Sequence, residues 1–422
     1  MGRSGRAAVR LLRDHGARVS AYDRNPACLE GIDPEVEKLS GETPPDFAAY
    51  DAVIASPGFP APAHPKLQPE IDLAAPHLKA TLIGVTGTNG KSTTAVLIGE
   101  MLRRSGLAVP IGGNLGDPLC ELVEAPADVV VAELSSFQLE HARRLRAHVG
   151  VLLNLAPDHL DRHGTFEAYG AAKARLASLQ QKTDTLVVNL DDDWARQVGE
   201  SAVADTVGFS ESPLDNGACL EAQDLVLRDA GNEILRLPQE KLSSACRTPI
   251  TNALASTLAA FVAGAAPEAI RALLESFEGL PHRARVVSVR QRVRYVDDSK
   301  ATNPTAAATS LSLHPQGSIW IAGGKNKGLD FEPLVAAAGG MRAAIVFGEA
   351  RQELAKTLED VTEVVTVECL EEAVKAAAER ALPGGTVLLA PACSSLDQFS
   401  SFEERGRRFA ELVKSLPEDA SC

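Results

Sequence analysis

No Cys-x-x-Cys pair occurs in this 422-residue chain, and its seven cysteines stand singly. Scattered thiols offer neither a zinc site nor a disulfide framework, and they read as the reduced cysteines of a cytoplasmic protein. Long apolar runs are missing too: none approaches the roughly 20 residues of a membrane span, and the first residues lack a signal peptide's apolar core. Positive charge is short, with 42 Lys and Arg against 56 Asp and Glu and a net charge of −14. That balance argues against nucleic-acid or membrane partners while permitting a local basic pocket. With 45% hydrophobic and 23% charged residues the composition is ordinary for a globular protein, and the length implies two or three domains.

The stretch that organises the rest is Gly84-Val85-Thr86-Gly87-Thr88-Asn89-Gly90-Lys91-Ser92-Thr93-Thr94. An apolar, β-branched run at residues 80–85 precedes it, and apolar positions at helical spacing follow from Ala95 to Leu102. Strand, glycine turn and helix together make a phosphate loop. Backbone N–H groups curl around phosphate oxygens, and the helix N-terminus adds partial positive charge. Lys91 then reaches the β- and γ-phosphates, and the Ser92 hydroxyl binds Mg²⁺. The common pattern has glycine at the position of Val85; here the glycines are Gly84 and Gly87 instead.

Upstream, a turn with Gly2 and Gly5 leads into a helix at residues 7–15 and a strand at 19–23 ending in Asp23, a Rossmann-like half-site. The strand that normally precedes such a turn is missing, so an upstream start and a less stable first domain are expected. A second strand at 51–55 runs into Ser56-Pro57-Gly58-Phe59, after which Pro60, Pro62, Pro65 and Pro69 read as extended linker.

Downstream, residues 111–116 read as a tight loop. A buried strand from Asp128 delivers Glu133 to its carboxyl end, where open sheets bind ligands, as an Mg²⁺ ligand. Another strand, 149–155, leads to His159, read as a metal or substrate ligand. In the helix at 166–179, Lys173 taken alone reads as solvated. Asp191-Asp192-Asp193, after a strand at 185–189, reads as a solvated turn. Residues 200–247 hold short β-rich pieces without assignable chemistry. Helices at 250–263, bearing Asn252, and 269–277 follow. Past a boundary at Gly279-Leu280-Pro281-His282-Arg283, strands and helices alternate again, giving another α/β domain.

Four segments carry a resemblance: Gly87 to Thr93, Glu133 to Leu139, Asp298-Ser299-Lys300-Ala301-Thr302-Asn303, and Pro391-Ala392-Cys393-Ser394-Ser395-Leu396-Asp397-Gln398-Phe399. They resemble the motifs of the Mur ligases, over nearly the whole chain, and the last favours the branch that adds D-glutamate. The resemblance implies an α/β fold in three domains. These are a truncated Rossmann-like UDP-sugar-binding domain (1–69), a central P-loop ATPase-like domain with a parallel sheet (70–280), and a Rossmann-like amino-acid-binding domain (281–422). It also implies a monomer that links D-glutamate to UDP-N-acetylmuramoyl-L-alanine through an acyl phosphate made with ATP. Gly87, Thr88, Asn89, Gly90, Lys91, Ser92 and Thr93 would hold ATP, with Asn252 at the adenine, Arg283 at the γ-phosphate and Asp298 at the ribose. Two Mg²⁺ ions would be bound through Ser92, Glu133, His159 and Lys173, the lysine as a carbamate formed with CO₂. Lys91, His159, Lys173 and Arg283 would carry the catalysis. Arg3, Ser4, Asp23, Ser56, Gly58, Asn114 and Gln138 fall where the UDP-sugar is held, and Lys300, Thr302, Lys327, Ser395 and Phe402 around D-glutamate. Arg247-Thr248-Pro249 departs from the family's usual His-Asn, so a weaker adenine contact is expected. Folylpolyglutamate synthases share the loop and the chemistry, but are not expected to carry Ser56-Pro57-Gly58-Phe59 or the 391–399 segment. A P-loop ATPase or a nucleotide-binding module without ligase activity are the other readings.

Overall fold

Short apolar runs become buried parallel strands along most of the chain, and amphipathic helices cover their faces. The computed structural model describes residues 1–57, 59, 64–314 and 316–417; Gly58, Pro60 and Pro62 lie outside the described residues. Two compact units result, Met1–Leu155 with Glu167–Phe277 and Ala156–Phe166 with Glu278–Cys422. No helix among the described residues is long and apolar enough to cross a membrane.

The first unit opens with the helix Arg3–Asp14, whose Ala7, Ala8 and Leu11 enter the unit's main core. Strand β1 (Ser20–Asp23) pairs in parallel with β2 (Glu37–Ser40), and β3 (Val53–Ala55) with β4 (Leu67–Pro69). The two pairs are separate sheets rather than one Rossmann-like sheet. β4 lies in the stretch expected to be linker. The proline there misleads: Pro69 closes the strand, at its last position, and its missing N–H does not interrupt the ladder. Next to it Glu70 is buried and accepts the Cys120 N–H at 2.6 Å. Burial raises its pKa above the ordinary carboxylate value.

Among the described residues, nine strands build the large sheet: β5 (Thr81–Thr86), β6 (Ile111–Gly113), β7 (Val129–Glu133), β8 (Val149–Leu152), β9 (Thr185–Asn189), β10 (Asp205–Ser210), β11 (Gly217–Glu221), β12 (Asp224–Asp229) and β13 (Asn232–Pro238). Their order is β13-β12-β11-β10-β9-β8-β5-β7-β6, parallel from β6 to β11 and antiparallel beyond. Residues 111–113, read as loop, form its edge strand, and much of the 200–247 segment extends its other end. The chain leaves β5 toward β6 on one side and, after β7, crosses to β8 on the other. This reversal beside β5 is the topological switch point at which open sheets bind ligands. The acidic triplet is structural rather than simply solvated. Asp191 accepts from Ser210 Oγ at 2.7 Å, and Asp192 caps the helix Asp193–Glu200 through the Ala195 N–H at 2.9 Å.

In the second unit β14 (Arg285–Arg290), β15 (Val293–Asp297), β16 (Ile319–Gly323), β17 (Ala343–Phe347), β18 (Glu363–Thr366) and β19 (Thr386–Ala392) form a sheet in the order β14-β15-β19-β16-β17-β18. Only the β14–β15 pair is antiparallel. Alternate residues feed opposite cores: Trp320, Ala322, Leu388 and Ala390 on one face, Ile319, Ile321, Val387 and Leu389 on the other. The buried Trp320 indole donates to Ala390 O at 2.8 Å, which satisfies its polar atom. Because β19 inserts between β15 and β16, the carboxyl ends of these three strands lie side by side.

Candidate active site

In the first unit the helix Lys91–Arg104 starts immediately after Gly90, which has φ 85°. A Cβ at Gly90 would fall on Asn252 Oδ1 and lie 3.4 Å from Leu153 Cδ1, so the turn is built for glycine. Asn154, just past β8, clamps the loop. Its side chain accepts the Asn89 N–H (2.8 Å) and donates to Asn89 O (3.2 Å), while its carbonyl accepts the Thr88 N–H (2.9 Å). Lys91 Nζ curls back to donate to Gly87 O (2.9 Å) and Thr88 O (2.8 Å). Ser92 and Thr93 are buried in the first helical turn. A fixed glycine loop, a helix N-terminus and a lysine are the parts a polyphosphate requires.

Lys173 departs furthest from its bare sequence reading. Instead of being solvated it is 1% exposed, with Nζ donating to Gly87 O at 2.7 Å and lying 4.7 Å from the Tyr169 ring centroid. The helix Phe166–Ser178 explains this, because Tyr169, Ala172, Lys173 and Leu176 share its buried side. The Tyr169 hydroxyl lies 3.2 Å from Thr88 Oγ1. Glu133, buried at the end of β7 and in register with Val85, accepts from Asn114 Nδ2 at 2.7 Å. Gln138 is buried too, and its Oε1 accepts the Ser135 N–H and hydroxyl, each at 2.9 Å, in a capping box. Among the described residues no three His, Cys, Asp or Glu side chains are grouped to hold a metal ion. Mg²⁺ bound with a nucleotide takes one or two carboxylates besides phosphate oxygens. The buried hydroxyl of Ser92 and carboxylate of Glu133 fit that donor set.

Of the UDP-sugar candidates, Arg3 pairs with Asp117. Asp23 pairs with the chain's amino terminus at 2.5 Å, an interaction that holds its carboxyl below the usual range. Ser4 and Ser56 are half-buried; Gly5 lies inside the helix rather than in the expected turn, and a Cβ on it would lie 3.0 Å from Ser56 Oγ, so the helix's first turn adjoins the end of β3. Arg247 donates to its neighbours' carbonyls, Glu240 O (3.0 Å) and Leu242 O (2.8 Å).

The second unit holds the loop bearing His159. With φ 54° this residue caps the helix Leu160–His163, and its N–H donates to Asp158 Oδ1 at 2.9 Å. Asp158, buried, also accepts from Asn303 Nδ2 (3.0 Å) and Lys327 Nζ (3.4 Å). Lys300 Nζ sits 3.9 Å from the Phe402 ring centroid. Ser395 is buried and Thr302 half-buried. Burial raises the pKa of Asp298, and the positive charge of Arg283 opposes that rise. His282 Nδ1 lies 2.6 Å from Asp297 Oδ2, beside a Gly406 with no room for a Cβ.

The structure thus gathers Lys91, Ser92, Lys173 and Asn252 about the loop, and Glu133 with Asn114 one strand away. It separately gathers His159 with Lys327, and Lys300 with Phe402. Sequence reasoning missed Asn154, Tyr169 and Asp158. Asn154 alone carried a usable signal, as a polar residue at a strand end like Glu133.

Two family models match the chain: the Mur ligase middle domain over residues 85–261, and the Mur ligase glutamate ligase domain over residues 282–393. A UDP-N-acetylmuramoylalanine–D-glutamate ligase of Solibacter usitatus is 39% identical, over 99% of this chain and 97% of its own. One of Myxococcus xanthus is 40% identical over the same shares. Among solved structures, a pseudomurein peptide ligase type C from Methanothermus fervidus has the same fold, with TM-score 0.66 and 20% identity over 99% of this chain and 98% of that one. MurF from Acinetobacter baumannii follows at TM-score 0.64 and 20% identity, over 82% of this chain and 79% of that one. The glycine loop, the family models and the two relatives matched over 99% of the chain agree: the chain belongs to the Mur ligase family, in the branch of the UDP-N-acetylmuramoylalanine–D-glutamate ligases.

Proposed function

We propose that this enzyme uses ATP to join D-glutamate to UDP-N-acetylmuramoyl-L-alanine, a step of peptidoglycan precursor synthesis, as a cytoplasmic monomer. The observation that carries the reading is 39% and 40% identity, over 99% of the chain, to relatives of that name. A carboxylate is a poor acyl donor, so ATP first phosphorylates the alanine carboxylate. The D-glutamate amine then attacks the acyl carbon, and the tetrahedral intermediate expels phosphate.

Most of the protein's work is holding charge. The N–H groups of residues 87–93 cradle the phosphates, and Lys91 leaves its loop carbonyls for the β- and γ-phosphates. Arg283 serves the γ-phosphate, Asp298 the ribose and Asn252 the adenine. Ser92 and Glu133 hold one Mg²⁺, and His159 with Lys173 a second. When bound, these ions neutralise charge on the transferring phosphoryl group. Lys173 acts as a carbamate made with CO₂, which exchanges a buried cation for oxygen ligands. Its burial against Gly87 O, a carbonyl that also accepts from Lys91, supports that role. Lys300, Thr302, Lys327, Ser395 and Phe402 receive D-glutamate, whose two carboxylates suit the two lysines. Arg3, Ser4, Asp23, Ser56, Gly58, Asn114 and Gln138 hold the UDP-sugar. Residues 1–69, 70–280 and 281–422 act as the UDP-sugar, ATP and amino-acid domains.

Phosphate release from ATP, measured with the purified chain and Mg²⁺, should require both the UDP-sugar and D-glutamate. Release without an amino acid would instead indicate an ATPase, and glutamylation of a folate a folylpolyglutamate synthase.

A further inference from the structure

Arg405 is 0% exposed, yet nothing in the reaction described above uses it. It stands in the first turn of the helix Phe402–Lys414. A guanidinium offers five N–H donors in a rigid plane, and this one makes five hydrogen bonds. Nε donates to Ser299 Oγ (3.0 Å), Nη1 to Gly323 O (3.3 Å) and Cys393 O (3.2 Å), and Nη2 to Ser299 O (2.9 Å) and Cys393 O (3.2 Å). Among the described residues no carboxylate bonds it. Burial lowers its pKa to about 10, with Asp397 and Asp297 among the charges working the other way, so it stays cationic at neutral pH. A buried charge is unfavourable unless its hydrogen bonds are made, and here all of them go to three separate loops.

Those loops leave the carboxyl ends of β15, β16 and β19, adjacent in the sheet in the order β15-β19-β16. Ser299 directly precedes Lys300 and lies near Thr302; Gly323 lies just before Lys327, and Cys393 just before Ser395. Phe402 is one turn earlier on Arg405's own helix, and its carbonyl accepts from Ser299 Oγ at 2.8 Å. Every residue assigned to D-glutamate is therefore a short step from a backbone group fixed by one buried side chain. We propose that Arg405 is the positioning residue of the amino-acid pocket, setting the spacing of the three loops and the Phe402 helix without touching the substrate. The proposal rests on the reading of Lys300, Thr302, Lys327, Ser395 and Phe402 as the D-glutamate contacts. Lysine cannot substitute, since an ammonium is a point charge and cannot reach three loops from one plane.

Steady-state kinetics of Arg405→Lys test this, with each substrate varied in turn. The KM for D-glutamate should rise about tenfold or more, that for the UDP-sugar should stay within about twofold, and kcat at saturating D-glutamate should fall less than the D-glutamate KM rises. A loss in kcat alone, or an equal rise of every KM, would mean a merely structural arginine and overturn the proposal. Lys300→Ala separates the two layers. If it leaves the D-glutamate KM unchanged, the pocket assignment fails. If it raises that KM while Arg405→Lys does not, the positioning role fails. Should Arg405→Lys not fold, Ser299→Ala removes the Nε acceptor and the hydroxyl bond to Phe402 O while keeping the backbone. It should raise the D-glutamate KM about threefold, and an unchanged value counts against Arg405.

Discussion

Gly90→Ala places a methyl group where the phosphate loop, the Asn252 side chain and Leu153 converge. The backbone there has φ 85°, and holding a residue with a Cβ in the left-handed region costs about 1–2 kcal/mol. The methyl would also overlap the end of the buried Asn252 side chain, which must turn aside, while Leu153 Cδ1 stays in ordinary contact. Overpacking of this kind costs about 1–3 kcal/mol, so the first unit should lose about 2–5 kcal/mol. Each unit carries one tryptophan, Trp194 in the first and Trp320 in the second. Urea unfolding followed by Trp194 fluorescence in a Trp320→Phe background therefore reports on the unit in question. Because Lys91 follows the strained residue and Asn252 must move, ATP affinity measured by calorimetry should fall at least about tenfold. An unchanged urea midpoint together with wild-type ATP affinity would show that the loop is not built as tightly as these contacts imply.

Lys91→Ala should reduce ligation at least about a hundredfold through loss of charge at the phosphates, with thermal melting close to wild type; near-normal turnover would remove the loop from catalysis. Lys173→Ala should be nearly inactive and partly recovered by added small carboxylates, which supply the lost oxygen ligand; full activity at limiting Mg²⁺ would end the carbamate assignment. Glu70 has a folded-state pKa raised by burial, so the folded chain holds that proton more tightly than the unfolded one. Its contribution to stability is greatest at acidic pH, below the unfolded carboxylate value, and is lost as pH rises through the folded value. Glu70→Gln should match the wild type in acid and gain on it toward neutral pH, and parallel melting-versus-pH curves for the two would contradict this.

The phosphate loop could be read from sequence because its chemistry is local: strand, glycines, lysine and helix occupy one continuous stretch. The strand end bearing Glu133 was readable for the same reason, whereas His159 lies well past the end of β8 at Leu152 and caps the helix Leu160–His163. Lys173 was not readable, since a helix lysine reveals nothing about which side its helix buries until the neighbouring strands are in place. Asn154 acts by touching a loop 65 positions earlier in the chain, and Arg405 binds a serine 106 positions away. Partnerships of that kind leave no periodic trace. Strand order is equally silent in sequence, so neither the far end of the large sheet nor the division of the first strands into two pairs was foreseen. Proline misled at Pro69, where a strand end tolerates it.

Those two parallel pairs, β1 with β2 and β3 with β4, carry a consequence for stability. A two-stranded sheet is marginal by itself, so each pair depends on what it packs against. The opening helix serves both: its Ala7, Ala8 and Leu11 join the core of the nine-stranded sheet, with Ile54 of β3 packed against that core, while Val9 packs with Val19, Ala21 and Val36. One short helix therefore ties the small sheets to the large one, and a substitution that loosens it should unlace both pairs while leaving the large sheet standing.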